Sequence, residues 1–200
     1  GHPEYHPNSG IETTTGPLGQ GISNAVGFAI SEEILKKKFG QKIFNHKTYV
    51  LAGDGCLMEG VSAEAASLAG HLGLGKLVVL YDDNRITIDG GTDLTFSEDV
   101  GARFESYGWH VLKIDGHDRQ AIRQAVQQGI AVSDKPTMIC CRTIIAQGAP
   151  TKAGSNKSHG SPLGVEEIRQ TKIGMGMDPD QHFVVPQEAL DYFREKDSER

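Results

Sequence analysis

Four short apolar, β-prone runs recur along the chain, each closed by glycine or polar residues. They are 48–52 (Thr-Tyr-Val-Leu-Ala), 76–82, 109–114 and 137–144. Between them the apolar positions change to helical spacing. Over 60–72 the residues Ala63, Ala65, Ala66, Leu68, Ala69 and Leu72 are small and suit tight packing. Ser97 with Glu98 and Asp99 behind it reads as a helix start, and Gly108 as its stop. Residues 118–131 read as another helix, entered from the turn Asp115-Gly116-His117-Asp118. Ahead of all this, Ile22, Val26, Ala29, Ile30 and Ile34 place a helix over 16–39, with Pro17 in its first turn and Gly40 as its C-cap. Two further helices are predicted near 163–173 and 186–196, and 1–15 and 146–162 read as irregular. Alternating strands and helices predict an α/β fold, a doubly wound and mostly parallel sheet with helices on both faces.

In such a sheet, ligands bind outside the carboxyl ends of the strands. Gly53-Asp54-Gly55 closes the first run, and Asn84 follows the second. Flanking glycines let a backbone come close to a ligand, and the helix after Gly60 offers free N–H groups to an anion. One carboxylate, one amide oxygen and a helix start suit a hard cation bridged to phosphate oxygens, as magnesium is usually held. On its own, Gly-Asp-Gly is equally a tight strand-to-helix turn. Gly55 and Gly60 have P-loop spacing, but Val61-Ser62 stands where Lys-Ser/Thr is required. No Gly-x-Gly-x-x-Gly opens a helix. Asp82 and Asp83 read as strand-end turn residues, and His6 and His71 as solvent-facing or packing residues.

The sequence has 200 residues, 38% hydrophobic and 23% charged. That suits one soluble domain, or at most one and a piece, and a domain of this size buries roughly 70% of its unfolded surface. A net charge of −6 argues against nucleic acid or an anionic membrane as partner, and no apolar run reaches the ~20 residues of a membrane span. Cys56, Cys140 and Cys141 show no framework spacing, which argues for a reducing compartment. Adjacent Cys140 and Cys141 in a strand should face opposite ways.

Two stretches carry a family resemblance. Gly53-Asp54-Gly55 followed by Asn84 resembles the thiamine diphosphate signature. Gly53 to Gly60, with Cys-Leu-Met-Glu inside, and Glu12-Thr13-Thr14-Thr15-Gly16-Pro17-Leu18-Gly19-Gln20-Gly21 resemble the transketolase family more narrowly. The resemblance runs from Gly1 to about residue 195, which makes 1–195 the cofactor domain and 196–200 the start of a linker. It implies thiamine diphosphate and a divalent metal, magnesium or calcium, held by Asp54, Asn84 and the carbonyl of Ile86. It further implies that Gly16, Pro17, Leu18 and Gly55 lie against the cofactor, and that Glu59 is an acid near it, networked towards a dimer partner. His159 would reach the diphosphate and the bound sugar, and His2 the sugar substrate, as the catalytic histidines of this segment. Asn156 stands where relatives often carry a further histidine.

The implied reaction moves a two-carbon ketol unit from a ketose phosphate to an aldose phosphate, in pentose phosphate metabolism. The resemblance places the aminopyrimidine-binding acid in a second domain, across a homodimer interface, and no such domain is found in this sequence. The chain starts without Met and enters the family pattern inside the cofactor domain. It is therefore expected to be part of a longer protein and inactive alone. The expected location is cytoplasmic, with an organellar address left open. Another thiamine enzyme, of the 2-oxo-acid dehydrogenase or deoxyxylulose phosphate synthase type, would share Gly53–Asn84 but not Glu12–Gly21. A non-catalytic interaction module is the remaining alternative.

Overall fold

The frame is a parallel sheet of β1 (Thr48–Gly53), β2 (Leu77–Asp83), β3 (His110–Asp115) and β4 (Thr137–Arg142). The strands lie in the order β1-β2-β4-β3 in a computed structural model that describes residues 2–198. The inner strands β2 and β4 are near-continuous apolar runs because both their faces are covered. On one face, α1 (Gln20–Phe39), α2 (Asp54–Met58), α3 (Gly60–His71) and α4 (Val100–Ser106) bury Val26, Leu57, Ala66 and Phe104 over Val79, Met138 and Cys140. On the other, α5 (Arg119–Ala131) sets Ala125 over Val78, Ile139 and Cys141. The expected helices on both faces are therefore present. The adjacent cysteines do point opposite ways, and burial pushes the Cys140 thiol up to about 12 and the Cys141 thiol to about 11, so both are unreactive. The single helix α5 leaves the β1 end of its face bare, with Tyr49 51% and Leu51 85% exposed.

Several boundaries differ from the sequence pattern. The first helix starts at Gln20, not Gly16. Gly16 (φ 132°) and Gly19 (φ 81°) are in conformations a helix cannot use. Both are also crowded: a Cβ on Gly16 would lie 2.5 Å from His2 Cγ, and one on Gly19 2.8 Å from Val61 Cγ1. The α4 cap is Asp99, which accepts from the Ala102 N–H at 3.0 Å, not Ser97. Asp118 caps α5, accepting from Gln120 and Ala121. After the long 143–164 connection come α6 (Val165–Gly174) and α7 (Gln187–Ser198). Residues 196–198 continue α7, while 199 and 200, the end of the expected linker, lie outside the described residues, as does Gly1.

α3 approaches the α4–β3 connection closely enough for the Trp109 indole to donate to the Ala66 carbonyl at 2.8 Å. A Cβ on Gly70 would sit 1.9 Å from the Tyr107 carbonyl oxygen and 2.9 Å from its carbon. Gly→Ala in a helix interior gains up to about 1 kcal/mol of propensity. Overpacking against backbone that cannot swing aside costs about 1–3 kcal/mol, here at the upper end. Gly70→Ala is expected to lower the urea midpoint with an unchanged m-value; an unmoved or raised midpoint would contradict this close approach.

Candidate functional site at the strand ends

The parallel register sets Ala52 of β1 opposite Tyr81 of β2. Asp54, two residues beyond Ala52, opens α2 and is buried at 4% exposure. Its carboxylate is gripped from both sides. The Tyr81 hydroxyl donates to Oδ1, and the Arg85 backbone N–H donates to Oδ2 at 3.1 Å. Arg85 is left-handed (φ 58°), a conformation that costs a non-glycine residue of order 1–2 kcal/mol. Such strain persists where the surroundings demand it. Here it bends the chain after β2 so that an N–H meets Asp54.

The residues beside Arg85 are organised around the same bend. Asn84 Oδ1 accepts from the Ile86 N–H at 2.9 Å, and Asn84 Nδ2 donates to Asp82 Oδ2 at 3.1 Å. The amide is thereby oriented, and Oδ1 keeps one lone pair. Ile86 and Gly91 form an antiparallel bridge. Its hydrogen bonds are made by the flanking residues, Thr92 N–H to the Arg85 carbonyl at 3.0 Å and Thr87 N–H to the Gly90 carbonyl at 2.7 Å. Among the described residues the Ile86 carbonyl accepts no hydrogen bond, so its oxygen is available to a ligand. The register and the Arg85 bond together bring Asp54 alongside the 84–86 segment.

Asp54 has no cationic partner among the described ion pairs. Arg85 Nε and Arg142 Nη1 both turn to Asp83, at 3.7 and 3.3 Å. Burial holds the Asp54 carboxyl above the ordinary carboxylate range; the Tyr81 hydrogen bond opposes this, and the charges of Asp83 and Asp82 add to it. A buried carboxylate without a counter-charge is costly, and a divalent cation is the charge that would relieve it. The donors are hard oxygens of three kinds: carboxylate, amide and carbonyl. The described residues hold no group of three or more His, Cys, Asp or Glu able to take a metal. A cation here would therefore draw its remaining ligands from phosphate and water, in the manner of magnesium or calcium. The residues present fit that group. Asp54 and Tyr81 also line a cavity of about 630 Å³ that opens beside Thr92 and Phe96.

The other candidate residues, His159 apart, meet at the start of α1. A Cβ on Gly55 would lie 3.2 Å from Leu18 Cδ1, so the Leu18 side chain rests on the Gly55 backbone. His2 stacks on Gly16, and a Cβ on Gly19 would be 2.9 Å from Glu59 Cβ. Pro17 begins the turn between them, its carbonyl accepting from Gln20 N–H at 3.2 Å. Glu59 stands exposed between α2 and α3. The helical N–H groups nearest Asp54 are thus those of α2, not of the helix after Gly60. His159 is exposed and bonds to none of the other candidates. It follows a short 3-10 turn, Asn156–Ser158, whose Asn156 Nδ2 donates to the Ile88 carbonyl at 3.4 Å. That bond ties the His159 loop to the 86–91 hairpin. The sequence pattern passed over Tyr81 and the Arg85 N–H. An inward-facing tyrosine on an inner strand was the available signal, since a buried hydroxyl needs a partner.

An open parallel sheet that gathers a buried carboxylate, an oriented amide and a free carbonyl past neighbouring strand ends is an α/β ligand-binding domain. The family model for the thiamine diphosphate binding domain of transketolase matches residues 1–200. A transketolase from a Nostoc strain is 56% identical over 199 residues, covering 97% of this chain and 30% of that protein. The crystal structure of transketolase from Campylobacter jejuni superposes with a TM-score of 0.88 at 45% identity, over 92% of this chain and 29% of that one. A mutant Pichia stipitis transketolase in complex with xylulose-5-phosphate gives a TM-score of 0.88 at 44% identity, over 93% and 28%. The chain belongs to the transketolase family, as its thiamine diphosphate-binding domain, and spans about three tenths of the length of these relatives.

The raised Asp54 pKa has a definite sign for stability. A carboxyl whose folded pKa lies above its unfolded value favours folding most at low pH, and that contribution is lost as pH rises through the folded pKa. In the absence of divalent cations, Asp54→Asn is therefore expected to melt above the wild type at about pH 8. The gap should close as the pH falls towards the ordinary aspartate value of about 3.9. Wild type melting above Asp54→Asn across that whole range would contradict the burial argument.

Proposed function

We propose that this chain is the cofactor-anchoring part of a transketolase that transfers a two-carbon ketol unit from a ketose phosphate to an aldose phosphate. The observation that carries the reading is the buried Asp54 carboxylate, without a cationic partner among the described ion pairs, beside the Asn84–Ile86 segment. Asp54, Asn84 Oδ1 and the Ile86 carbonyl would hold a divalent cation, for which magnesium is proposed, with calcium as an acceptable substitute. That cation would fix the diphosphate of thiamine diphosphate. Bound thiamine diphosphate supplies the carbanion-stabilising chemistry needed to break and form a carbon–carbon bond.

The protein's own contributions are position, charge and exclusion of water. Gly16, Pro17 and Leu18 would cover the cofactor from the α1 side, with Gly55 letting the α2 backbone come close. His159 would reach the diphosphate and the sugar, and His2 the sugar. The xylulose-5-phosphate in the Pichia stipitis relative supports sugar phosphates as substrates. Glu59, exposed at the α2–α3 junction, would face a partner domain. The acid that binds the aminopyrimidine would come from a second domain and the other subunit of a homodimer. Cytoplasmic pentose phosphate metabolism is the proposed setting; three free thiols suit a reducing compartment.

The test is ligand-induced melting. Thiamine diphosphate together with Mg²⁺ should raise the melting temperature of the wild type more than either alone, by the equivalent of about 2.7 kcal/mol at 100 times the dissociation constant. Asp54→Ala should abolish the joint effect, and an equal shift in the variant would remove Asp54 from the site. With cofactor, Mg²⁺, a ketose phosphate donor and an aldose phosphate acceptor, this chain alone should give no turnover. Steady turnover would overturn the need for a second domain.

A further inference from the structure

Tyr81 is placed for more than packing. Its ring lies in the main core, among residues that include Val79, Leu57 and Phe104, and is 4% exposed. Its ladder neighbours are Ala52 on one side and Cys140 on the other. These small side chains leave room for a ring that cannot then swing away. The hydroxyl ends on Asp54 Oδ1 and is the only side-chain donor to that carboxylate among the described hydrogen bonds. The carboxylate can only accept when ionised, so the phenol proton must point at it. Arg85 N–H takes the other oxygen. Each oxygen keeps lone-pair capacity free, and rotation of the carboxylate about its last bond is blocked from two directions.

We infer that Tyr81 is a positioning residue of the cation site: its hydroxyl, with the Arg85 N–H, holds the Asp54 carboxylate turned so that it can share one divalent cation with Asn84 Oδ1 and the Ile86 carbonyl. The inference rests on the proposed cation site and adds to it a residue that touches neither metal nor cofactor. Groups that orient metal ligands in this way are commonly worth about 10–100-fold in metal affinity. The competing account is that the bond only satisfies two buried polar groups. In that account the hydroxyl matters for folding and not for the cation.

Equilibrium dialysis separates the two, because it counts cations on folded protein and is not moved by a lower melting point. Wild type, Asp54→Ala and Tyr81→Phe, each in the full-length protein that carries this chain, are dialysed against increasing Mn²⁺ at saturating thiamine diphosphate, well below melting, with the fold of each checked by circular dichroism. Wild type should retain Mn²⁺ and Asp54→Ala should not. Tyr81→Phe, which keeps the ring and loses only the hydroxyl, should need about 10–100-fold more Mn²⁺ for half-saturation. Half-saturation of Tyr81→Phe at the wild-type concentration, with Asp54→Ala empty, overturns the role of Tyr81 alone. Equal retention by wild type and Asp54→Ala, or none by either, removes the cation site and this inference with it.

Discussion

The structure turns on one uncompensated charge. Asp54 lies at the end of β1, removed from water, with two hydrogen-bond donors and no cationic side chain paired with it among the described residues. Burying a carboxylate in this way opposes folding, and the fold accepts it at the point where the proposed diphosphate-bound cation would sit. The neighbouring charges sharpen the contrast. Asp83 attracts two arginines, Arg85 and Arg142, while Asp54, the deeper of the two, pairs with none among the described ion pairs. A lysine or arginine at Asp54 would relieve the folding penalty and close the site to a metal. Strain and burial that persist without local relief mark places where function has set the terms.

Glycine makes the second half of the site possible. The turn before α1 and the turn after β1 are pressed together through Gly16, Gly19 and Gly55, each beside a side chain of the other group or of the N-terminal segment. Had these positions carried side chains, Leu18 could not rest on the α2 backbone, nor His2 on Gly16. This crowding, with the positive φ of Gly16 and Gly19, is also why α1 starts at Gln20 and not at the expected Gly16. The two glycines with positive φ trade a helical turn for a close approach between elements distant in sequence.

Legibility followed the physics of each element. Strands buried on both faces show as unbroken apolar runs, so β2 and β4, and the polar residues just past them, could be read directly. Asp118 and Gly40 were readable as caps because local hydrogen bonding explains them. Asp99 outcompeted Ser97 as a cap, which residue type alone does not decide. The five-residue α2 was hidden because one helical turn has no periodicity. The hairpin at 86–91 was hidden because its bend is made by a left-handed arginine, a residue with no preference for that conformation. Nothing in the 76–82 run singles out Tyr81, since its hydroxyl partner lies in another strand's turn. Metal-ligand spacing in the sequence could not reveal a backbone carbonyl.

Strand order explains how the His159 loop reaches this site. A sequential order would have put the end of β4 beyond β3, about 10 Å from β2 at the usual strand spacing of ~4.8 Å. Instead β4 is inserted between β2 and β3, and its end is bound to the end of β2. Arg142 Nη1 donates to the Asp83 carbonyl at 2.8 Å, and Thr143 N–H donates to the same oxygen at 3.2 Å. The Thr143 hydroxyl donates to Asp82, whose other oxygen accepts from Asn84 Nδ2. From the β3 side, His117 Nε2 accepts the Ile144 N–H at 2.8 Å, which fixes the exit direction and requires the imidazole proton on Nδ1. The chain then leaves β4 already alongside Asn84, and Asn156 needs only one bond to the Ile88 carbonyl to bring the histidine loop over the hairpin. The crossover β3–α5–β4 runs over the opposite face of the sheet from α1–α4, where a return from β3 to a strand between it and β2 keeps the right-handed sense that such crossovers take in nearly all cases.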